Sequence, residues 1–325
     1  MADKPGWYAS RLRAEIGLRN RAWAAGRAHV ESYGDPPVIV YAPEEGRHGN
    51  FHEAAYQAML SRPEWMRRFD KIHAQGRALP RAESGRRWRE LDSSMSSDAL
   101  LMNVFCSPSL TGSVALRNAL GVQADALPSF GWKARVPLTN GRLDRTEVDM
   151  RWGDLLVEAK LTEADFQSRA VAAVEVYRDF DTVFDRERLP RVKLPTARRR
   201  QAVEFPEDYS QEYEETGASP DVGQDLARLA LAQRRMPPTQ EGYASYQLIR
   251  NVLAAYADGS SFCVLHDARR PDLREKWFAV MAAVQSAEMR VRCKGMTWQE
   301  VAVYAPDELQ RFLEAKYGIV CSDFR

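Results

Sequence analysis

Residues 145–160 contain the residue types most able to do chemistry: a lysine and, of the four carboxylates in this segment, three that alternate with other residues along two predicted strands. Within this stretch, Gly153-Asp154 predicts a two-residue hairpin loop, because glycine supplies the positive φ that such turns need. With those residues as the loop, the two strands pair so that Asp149 lies directly opposite Glu158. Opposed Cβ atoms in such a pair are about 5 Å apart, so we expect the two carboxylates to lie close together.

Side chains alternate between the two faces of a strand, so this hairpin has one charged and one apolar face. The charged face holds Glu147, Asp149, Glu158 and Lys160, with Glu147 opposite Lys160. The apolar face holds Val148, Met150, Val157 and Ala159. We expect the apolar face to pack on a helix while the charged face gathers a site.

Two opposed carboxylates repel each other, and a cation between them removes the conflict. Oxygen ligands suit Mg²⁺ or Mn²⁺, which keep several waters and pair well with substrate phosphates. The pattern therefore indicates a metal site formed by Asp149 and Glu158, with Lys160 orienting a water for attack on a phosphoryl group. From face geometry alone, an ordinary solvated strand surface with a Glu147–Lys160 pair is the alternative.

The sequence around the hairpin alternates between helical and strand patterns, which predicts an α/β fold with a mixed central sheet flanked by helices. A helical extension precedes it, and Ser-Ser-Asp from Ser96 onward suits the N-cap of the first helix of the core. The later elements that we predict are strands at 132–138, 146–151 and 155–161, helices at 164–176 and about 241–257, a strand at Ser261–His266, a helix after Pro271 and a last helix ending at Lys316-Tyr317-Gly318.

Length and composition exclude several classes of protein. The chain has 325 residues, of which 45% are hydrophobic and 28% charged, so it can bury a core and is not wholly disordered. No apolar run approaches the roughly 20 residues that span a bilayer, so we expect no membrane association. Four dispersed cysteines favour the cytoplasm over a disulfide framework. Motifs of P-loop, dinucleotide-binding and serine-hydrolase enzymes are absent from the sequence.

Charge is unevenly distributed along a chain whose net charge is only +1. Residues 62–89 carry nine basic and three acidic side chains. Such a block is ordinarily solvated surface, but it also suits a polyanionic partner. We predict a helical, basic N-terminal region at 1–92, followed by a catalytic domain at 93–325.

A second charged segment, at about 186–240, has the composition of an insertion in that domain. Residues 186–200 carry seven basic side chains and one acidic, and residues 201–225 carry eight acidic and no basic ones. The two blocks either neutralise each other in a solvated loop, or the acidic block covers a basic groove until nucleic acid binds.

Asp149 followed by Glu158-Ala159-Lys160 resembles the active-site signature of the PD-(D/E)XK nuclease superfamily, which has the restriction-endonuclease-like fold. More narrowly, the chain is similar to bacterial proteins described as restriction endonucleases of that superfamily. The matching segments extend over about residues 96–318 and are Ser96-Ser97 with Asn103-Val104-Phe105, residues 158–166, residues 246–251, residues 297–300 and Lys316-Tyr317-Gly318.

The resemblance implies a Mg²⁺- or Mn²⁺-dependent endonuclease that hydrolyses phosphodiester bonds in DNA. Asp149 and Glu158 would bind the metal, and Lys160 would position the water. The helix at 241–257 would flank the site, so that Gln247 orients the nucleophile or the scissile phosphate. A homodimer is compatible with this resemblance.

Two departures from the superfamily pattern are present. Val148 stands where the signature has proline, and Asn251 stands where related nucleases have the tyrosine of Gln-x-x-x-Tyr. Neither removes a residue of the catalytic signature, although the second leaves the role of Asn251 open. The roles of four further polar residues also stay open: Asp98, Glu147, Glu163 and Arg250.

The sequence leaves two other functions to be weighed. A non-catalytic DNA-binding or partner-binding protein could keep the same fold, with the charged hairpin face serving only as structure. An RNA-directed nuclease would differ only in substrate.

Overall fold

The computed structural model of the protein describes residues 6–73, 78–82, 85–123, 126–195 and 239–321. Most of the charged segment predicted at 186–240 lies outside these described residues. The two interpretations of that segment therefore stay predictions.

The described residues form helices and mostly short strands. The helices are α1 (Trp7–Ala24), α2 (Glu53–Leu60), α3 (Pro63–Met66), α4 (Ser97–Phe105), α5 (Pro108–Thr111), α6 (Val114–Leu120), α7 (Val171–Val174), α8 (Phe180–Val183), α9 (Tyr246–Asp258), α10 (Pro271–Ala283), α11 (Ala287–Arg292), α12 (Trp298–Ala302) and α13 (Asp307–Tyr317). The strands are β1 (His29–Glu31), β2 (Ile39–Tyr41), β3 (Pro43–Glu44), β4 (Arg47–His48), β5 (Pro128–Lys133), β6 (Val136–Pro137), β7 (Leu143–Asp144), β8 (Glu147–Trp152), β9 (Leu155–Ala159), β10 (Ser168–Ala170), β11 (Arg191–Pro195), β12 (Thr239–Ala244), β13 (Ser261–His266) and β14 (Cys293–Thr297).

A five-stranded mixed sheet in the order β14-β13-β9-β8-β5 forms the centre of the protein. Strands β14, β13 and β9 run parallel, whereas β8 and β5 add as antiparallel neighbours. Helices cover both faces of this sheet. The predicted α/β fold with a mixed central sheet flanked by helices is confirmed.

Each face of the sheet packs against its own group of helices. Leu155, Val157 and Ala159 of β9 contact one cluster, which includes residues of α1, α4, α12 and α13. Leu156, which points the other way, contacts a second cluster built largely from α9 and α10. All five residues of β9 are buried, as a strand between two helical layers should be.

The predicted hairpin and its register are confirmed. Trp152 pairs with Leu155, and Met150 pairs with Val157, so Gly153-Asp154 forms the loop with Gly153 at φ 58°. One detail of the apolar face is wrong, because Val148 packs with the second cluster while Met150 packs with the first. The adjacent strand β5 contains Gly131 at a φ of 65°, and the pairing of β5 with β8 is interrupted at this residue.

The strand Ser261–His266, the helix from Pro271 and the final helix are where the sequence predicts them. Two predicted helices are shortened by strands. Residues 168–170 and 239–244 pair with each other in a separate three-stranded sheet with β11, so only Val171–Val174 and Tyr246–Asp258 are helical there. Backbone pairing between segments distant in sequence overrides local helical periodicity at these positions.

The N-terminal region combines helices with two short strand pairs, β1-β2 and β3-β4, which the sequence pattern does not reveal. Its first helix packs along α13, so the two ends of the described chain are in contact. The link includes the buried Lys316, whose ammonium donates to Asn20 Oδ1 and lies 4.4 Å from the centre of the Tyr41 ring. Burial without a carboxylate partner lowers the pKa of Lys316 well below its usual range.

No helix among the described residues is long and apolar enough to cross a membrane. The four cysteines, all of which are described, form no disulfide.

A buried histidine ties β4 to the 3₁₀ turn at Glu90–Asp92. His48 Nδ1 accepts the N–H of Asn50 at 3.2 Å, so Nε2 carries the hydrogen that is donated to Asp92 Oδ1 at 3.1 Å. His48 is thus neutral. Burial lowers its pKa from the usual 6.5, although the bond to Asp92 acts in the opposite direction.

Because the folded protein resists protonation of His48 while the unfolded chain does not, stability should fall as the pH drops below about 6.5. His52 and His266 also have pKa values lowered by burial and add to this trend. We expect the free energy of unfolding, measured by urea denaturation between about pH 7.5 and pH 5, to decrease with a slope that is shallower in His48→Gln. An unchanged slope in that variant would contradict the assignment.

Candidate active site

The charged end of the hairpin opens into a cavity of about 450 Å³. Asp149, Lys160 and Gln247, which are three of the four residues predicted for the site, line this cavity directly. Glu158, the fourth, is buried beside it through its contact with Lys160. The other lining residues are Lys71, Glu90, Ser97, Asp98, Glu163, Ala164, Asp165 and Gln167.

Glu158 is a carboxylate in the middle of the central sheet, with only 1% of its surface exposed. Its Oε1 accepts from the Lys160 ammonium at 2.7 Å, and its Oε2 accepts from Asn251 Nδ2 at 2.7 Å. A buried carboxylate is stable only when charge and hydrogen bonds compensate it, and here both oxygens are engaged. The side chain is therefore held in one orientation from two directions.

Asp149 lies on β8 where the backbone pairing with β9 stops. Its Oδ2 accepts the backbone N–H of Ala159 at 2.8 Å, so the side chain continues the contact between the strands. Burial raises the pKa of Asp149 well above its usual range, and the negative charges of Glu158 and Asp98 raise it further. The predicted proximity of two carboxylates is thus present, and their mutual repulsion is what a cation would relieve.

Lys160 follows β9 directly and is 5% exposed. Its backbone is fixed on both sides, since its N–H donates to Leu265 O at 2.8 Å and its carbonyl accepts from Trp298 Nε1 at 2.9 Å. Burial alone would lower the pKa of Lys160, but the charges of Glu158 and Asp149 outweigh burial and raise it. The neighbouring carboxylates thus favour the charged form of Lys160.

Gln247 is the second residue of α9 and reaches the cavity from the helical layer. The helix start is fixed by strand-like contacts, because Tyr246 N–H donates to Gln167 O and Gln247 N–H donates to Phe166 O. Gln167 and Ser245 flank this junction in the left-handed region, at φ 59° and 58°. Non-glycine residues in that region carry strain, which often accumulates next to functional sites.

Asn251 is one of the residues whose role the sequence left open. It lies one turn after Gln247 on α9, where its amide donates to Glu158 and its Oδ1 accepts from Arg250 Nη2 at 2.6 Å. Arg250 in turn donates to the backbone carbonyl of Glu147 at 2.7 Å, which links α9 to β8. The departure from Gln-x-x-x-Tyr therefore falls on a residue that positions a carboxylate of the site.

Glu147 and Glu163 take structural roles at the rim. The predicted Glu147–Lys160 pair is wrong, because β9 ends at Ala159 and Glu147 instead pairs with Arg68 at 2.5 Å. Glu163 accepts from Ser97 Oγ at 2.5 Å and from the N–H of Leu161 at 2.7 Å, so it joins the start of α4 to the end of the hairpin.

The start of α4 also brings an acid to the cavity. Ser96 is the N-cap, and its side chain accepts the N–H of Ala99 as the sequence predicts. Asp98 is buried and accepts from Arg68 Nη2 at 2.8 Å and from Lys71 Nζ at 2.9 Å. These two cations lower the pKa of Asp98 even though burial would raise it.

Within the described ranges, no three His, Cys, Asp or Glu side chains are arranged as a ready metal cage. A cage of this kind is not what Mg²⁺ ordinarily requires, since Mg²⁺ keeps several waters and binds through one or two carboxylates. Asp149 and Glu158 provide hard oxygen donors of that type. The residues present therefore fit Mg²⁺ or Mn²⁺ better than zinc, which prefers histidine and cysteine.

A larger cavity of about 720 Å³ lies between the N-terminal region and α13. Three arginines and three glutamates in its lining balance each other: Arg27, Arg47, Arg311, Glu44, Glu53 and Glu308. It holds no cluster of carboxylates and lysine like that of the hairpin. We therefore place the candidate active site at the hairpin.

The mixed sheet between two helical layers, with an Asp and a Glu-x-Lys on adjacent strands, defines the restriction-endonuclease-like class of proteins. The particular family follows from a family model described as restriction endonuclease associating with ARP, which matches residues 18–318. The chain belongs to this family. The match begins within α1, so it includes most of the N-terminal region as well as the sheet. Comparisons with curated proteins and with solved structures find no match.

A substitution at Gly131 on β5 can test whether the Arg68 side chain is held between Asp98 and Glu147. A Cβ at Gly131 would lie 2.4 Å from Arg68 Nη1, and the φ of 65° also disfavours any other residue. We expect Gly131→Ala to lower the free energy of unfolding by about 3 kcal/mol, because the buried ion pairs of Arg68 are lost together with the conformational penalty.

Gly141→Ala is the matched control for this substitution. Gly141 also has a positive φ, 79°, but a Cβ there meets no atom within 4 Å. It should cost only the conformational penalty of about 1 kcal/mol. Equal losses for the two variants in urea denaturation would show that Arg68 is not held as described.

Proposed function

We propose that the protein is a Mg²⁺- or Mn²⁺-dependent endonuclease that hydrolyses phosphodiester bonds in DNA. The observation that carries this proposal is that Asp149 and Lys160 line one cavity, with Glu158 buried beside it against Lys160, in a chain of a restriction-endonuclease family. Carboxylates beside a lysine suit phosphoryl transfer, in which catalysis is mainly charge stabilisation and positioning.

Asp149 and Glu158 would hold the divalent cation. When bound, the cation supplies Lewis-acid polarisation of a phosphoryl oxygen and a more acidic water. The raised pKa of Asp149 supports this assignment, because a nearby cation would favour the charged form of a carboxylate that burial and its neighbours disfavour.

Lys160 would orient the attacking water and stabilise the negative charge that develops on the phosphate. Its own contacts suit this role, since the ammonium is fixed by Glu158 and the backbone is fixed by Leu265 and Trp298. A preorganised cation costs no rearrangement at the moment of reaction. Gln247, which lines the same cavity, would orient the water or the scissile phosphate.

Asn251 would act on the reaction only through Glu158. It donates to Oε2 of Glu158, whereas Lys160 donates to Oε1, so both oxygens of this carboxylate keep a defined direction. This is a positioning role, of the kind that outer-shell hydrogen bonds have in metal sites.

DNA is the partner that this function requires, and a homodimer stays a prediction. Basic side chains near the cavity would bind the phosphates of the DNA backbone. One candidate is Arg169 on β10, whose guanidinium lies 5.6 Å from the centre of the ring of Tyr246, the neighbour of Gln247. Contacts of this type give affinity without sequence preference.

Metal binding separates this proposal from a DNA-binding protein that has only kept the fold. We expect Mg²⁺ or Mn²⁺ to raise the melting temperature of the wild type by several degrees, because a ligand that binds only the folded state stabilises it. Asp149→Asn should lose this shift. Asp154→Asn, which removes an exposed carboxylate at the far end of the same hairpin, should keep it.

Cleavage of plasmid DNA in the presence of Mg²⁺, with EDTA as the blank, tests the catalytic assignment. We expect alanine at Asp149, Glu158 or Lys160 to lower the rate by on the order of a thousandfold or more, and the triple variant to be hardly worse than each single one. Near wild-type cleavage by Lys160→Ala would remove the mechanism. Metal-independent cleavage in EDTA would exclude the metal role.

A further inference from the structure

Arg68 extends from the N-terminal region into the wall of the active site. It belongs to a 3₁₀ turn at Arg67–Asp70, and its guanidinium bridges Asp98 at 2.8 Å and Glu147 at 2.5 Å. The Arg68 side chain is only 8% exposed. Glycine at position 131 leaves the space that this guanidinium fills. The N-terminal region is thus anchored beside the catalytic hairpin by a buried ion-pair network.

Lys71 directly follows the same turn, and its side chain is more exposed than that of Arg68. Its Nζ donates to Asp98 Oδ2 at 2.9 Å, yet 46% of its side chain is exposed, and it lines the cavity that Asp149 and Lys160 also line. An ammonium has three hydrogens to donate. One is directed at Asp98, which leaves two for a group that enters the cavity.

Asp98 is committed to these two cations. Both Arg68 and Lys71 donate to the same oxygen, Oδ2, and the carboxylate is buried between them. A divalent metal approaching Asp98 would meet two positive charges already in place. The geometry therefore favours a role for Asp98 in holding Lys71 in position, and it disfavours a role for Asp98 as a metal ligand.

We infer that Lys71 binds a phosphate of the DNA at the active site, and that Asp98 and Arg68 are its positioning residues. This inference rests on the proposed function, because it names how the same site holds its substrate. Its consequence is that the N-terminal region contributes a substrate-binding side chain to the site built by the central sheet.

DNA binding in EDTA tests Lys71 without cleavage. By fluorescence anisotropy with a labelled duplex at several salt concentrations, Lys71→Met should bind on the order of tenfold more weakly. The slope of log affinity against log salt should fall by about 0.9, the value for one lost phosphate contact. Lys71→Arg should restore most of both. Lys276→Met, on α10 and not among the residues that line the cavity, is the matched control and should leave both unchanged.

The role of Asp98 needs a second readout, the Mn²⁺ concentration that gives half of the thermal shift. Asp98→Asn should raise the midpoint far less than Asp149→Asn does, while binding DNA several-fold more weakly, because Lys71 loses its ion pair. If Asp98 were instead a metal ligand, the midpoint would rise as far as in Asp149→Asn, and the positioning role would be excluded. Asp149→Asn provides the reference for the loss of a metal ligand in the same assay.

The outcomes separate this inference from the proposed function. A wild type without metal response or cleavage contradicts the proposed function, whereas the EDTA binding series still decides the role of Lys71. A wild type that cleaves DNA, with Lys71→Met and Lys276→Met indistinguishable in affinity and salt slope, overturns this inference alone.

Discussion

The requirement to compensate one buried carboxylate shapes much of this protein. Glu158 lies in the central sheet between two helical layers, where an unpaired charge is very costly. Lys160 and Asn251 remove that cost, one from the end of the same strand and one from α9. Removing one partner of a buried pair commonly costs about 3–5 kcal/mol, so the fold needs Lys160 in addition to any part it has in the proposed chemistry.

The central part of the candidate site follows from sequence for a different, local reason. The hairpin register depends on local chemistry, a glycine turn and strict alternation, and both are visible in residues 145–160. The pairing of Trp152 with Leu155 then determines where Asp149 and Glu158 lie. The strand Ser261–His266 can also be predicted from sequence, because a strand that is buried on both faces has a continuous hydrophobic run.

What the sequence did not reveal depends on contacts between segments far apart in the chain. Nothing near Arg68 indicates that its guanidinium lies between Asp98 and Glu147, because that contact needs the space at Gly131 and the N-terminal turn together. The strand pairing of 168–170 with 239–244 is likewise non-local. Asn251 offered one usable signal, its position one turn after Gln247 on the helix that flanks the site.

The contacts of Lys160 and Asp98 have a consequence for the protein during its synthesis. The partners of Asp98 precede it in the chain, as Arg68 does. By contrast, Glu158 accepts a hydrogen bond from Asn251, and the carbonyl of Lys160 accepts one from Trp298, and both of these partners lie much later in the chain. A ribosome produces these pieces in order, so a nascent chain holds Asp149, Glu158 and Lys160 well before it holds Asn251 and Trp298. A product truncated before α9 would therefore have the signature residues without the contacts that α9 and α12 make to them.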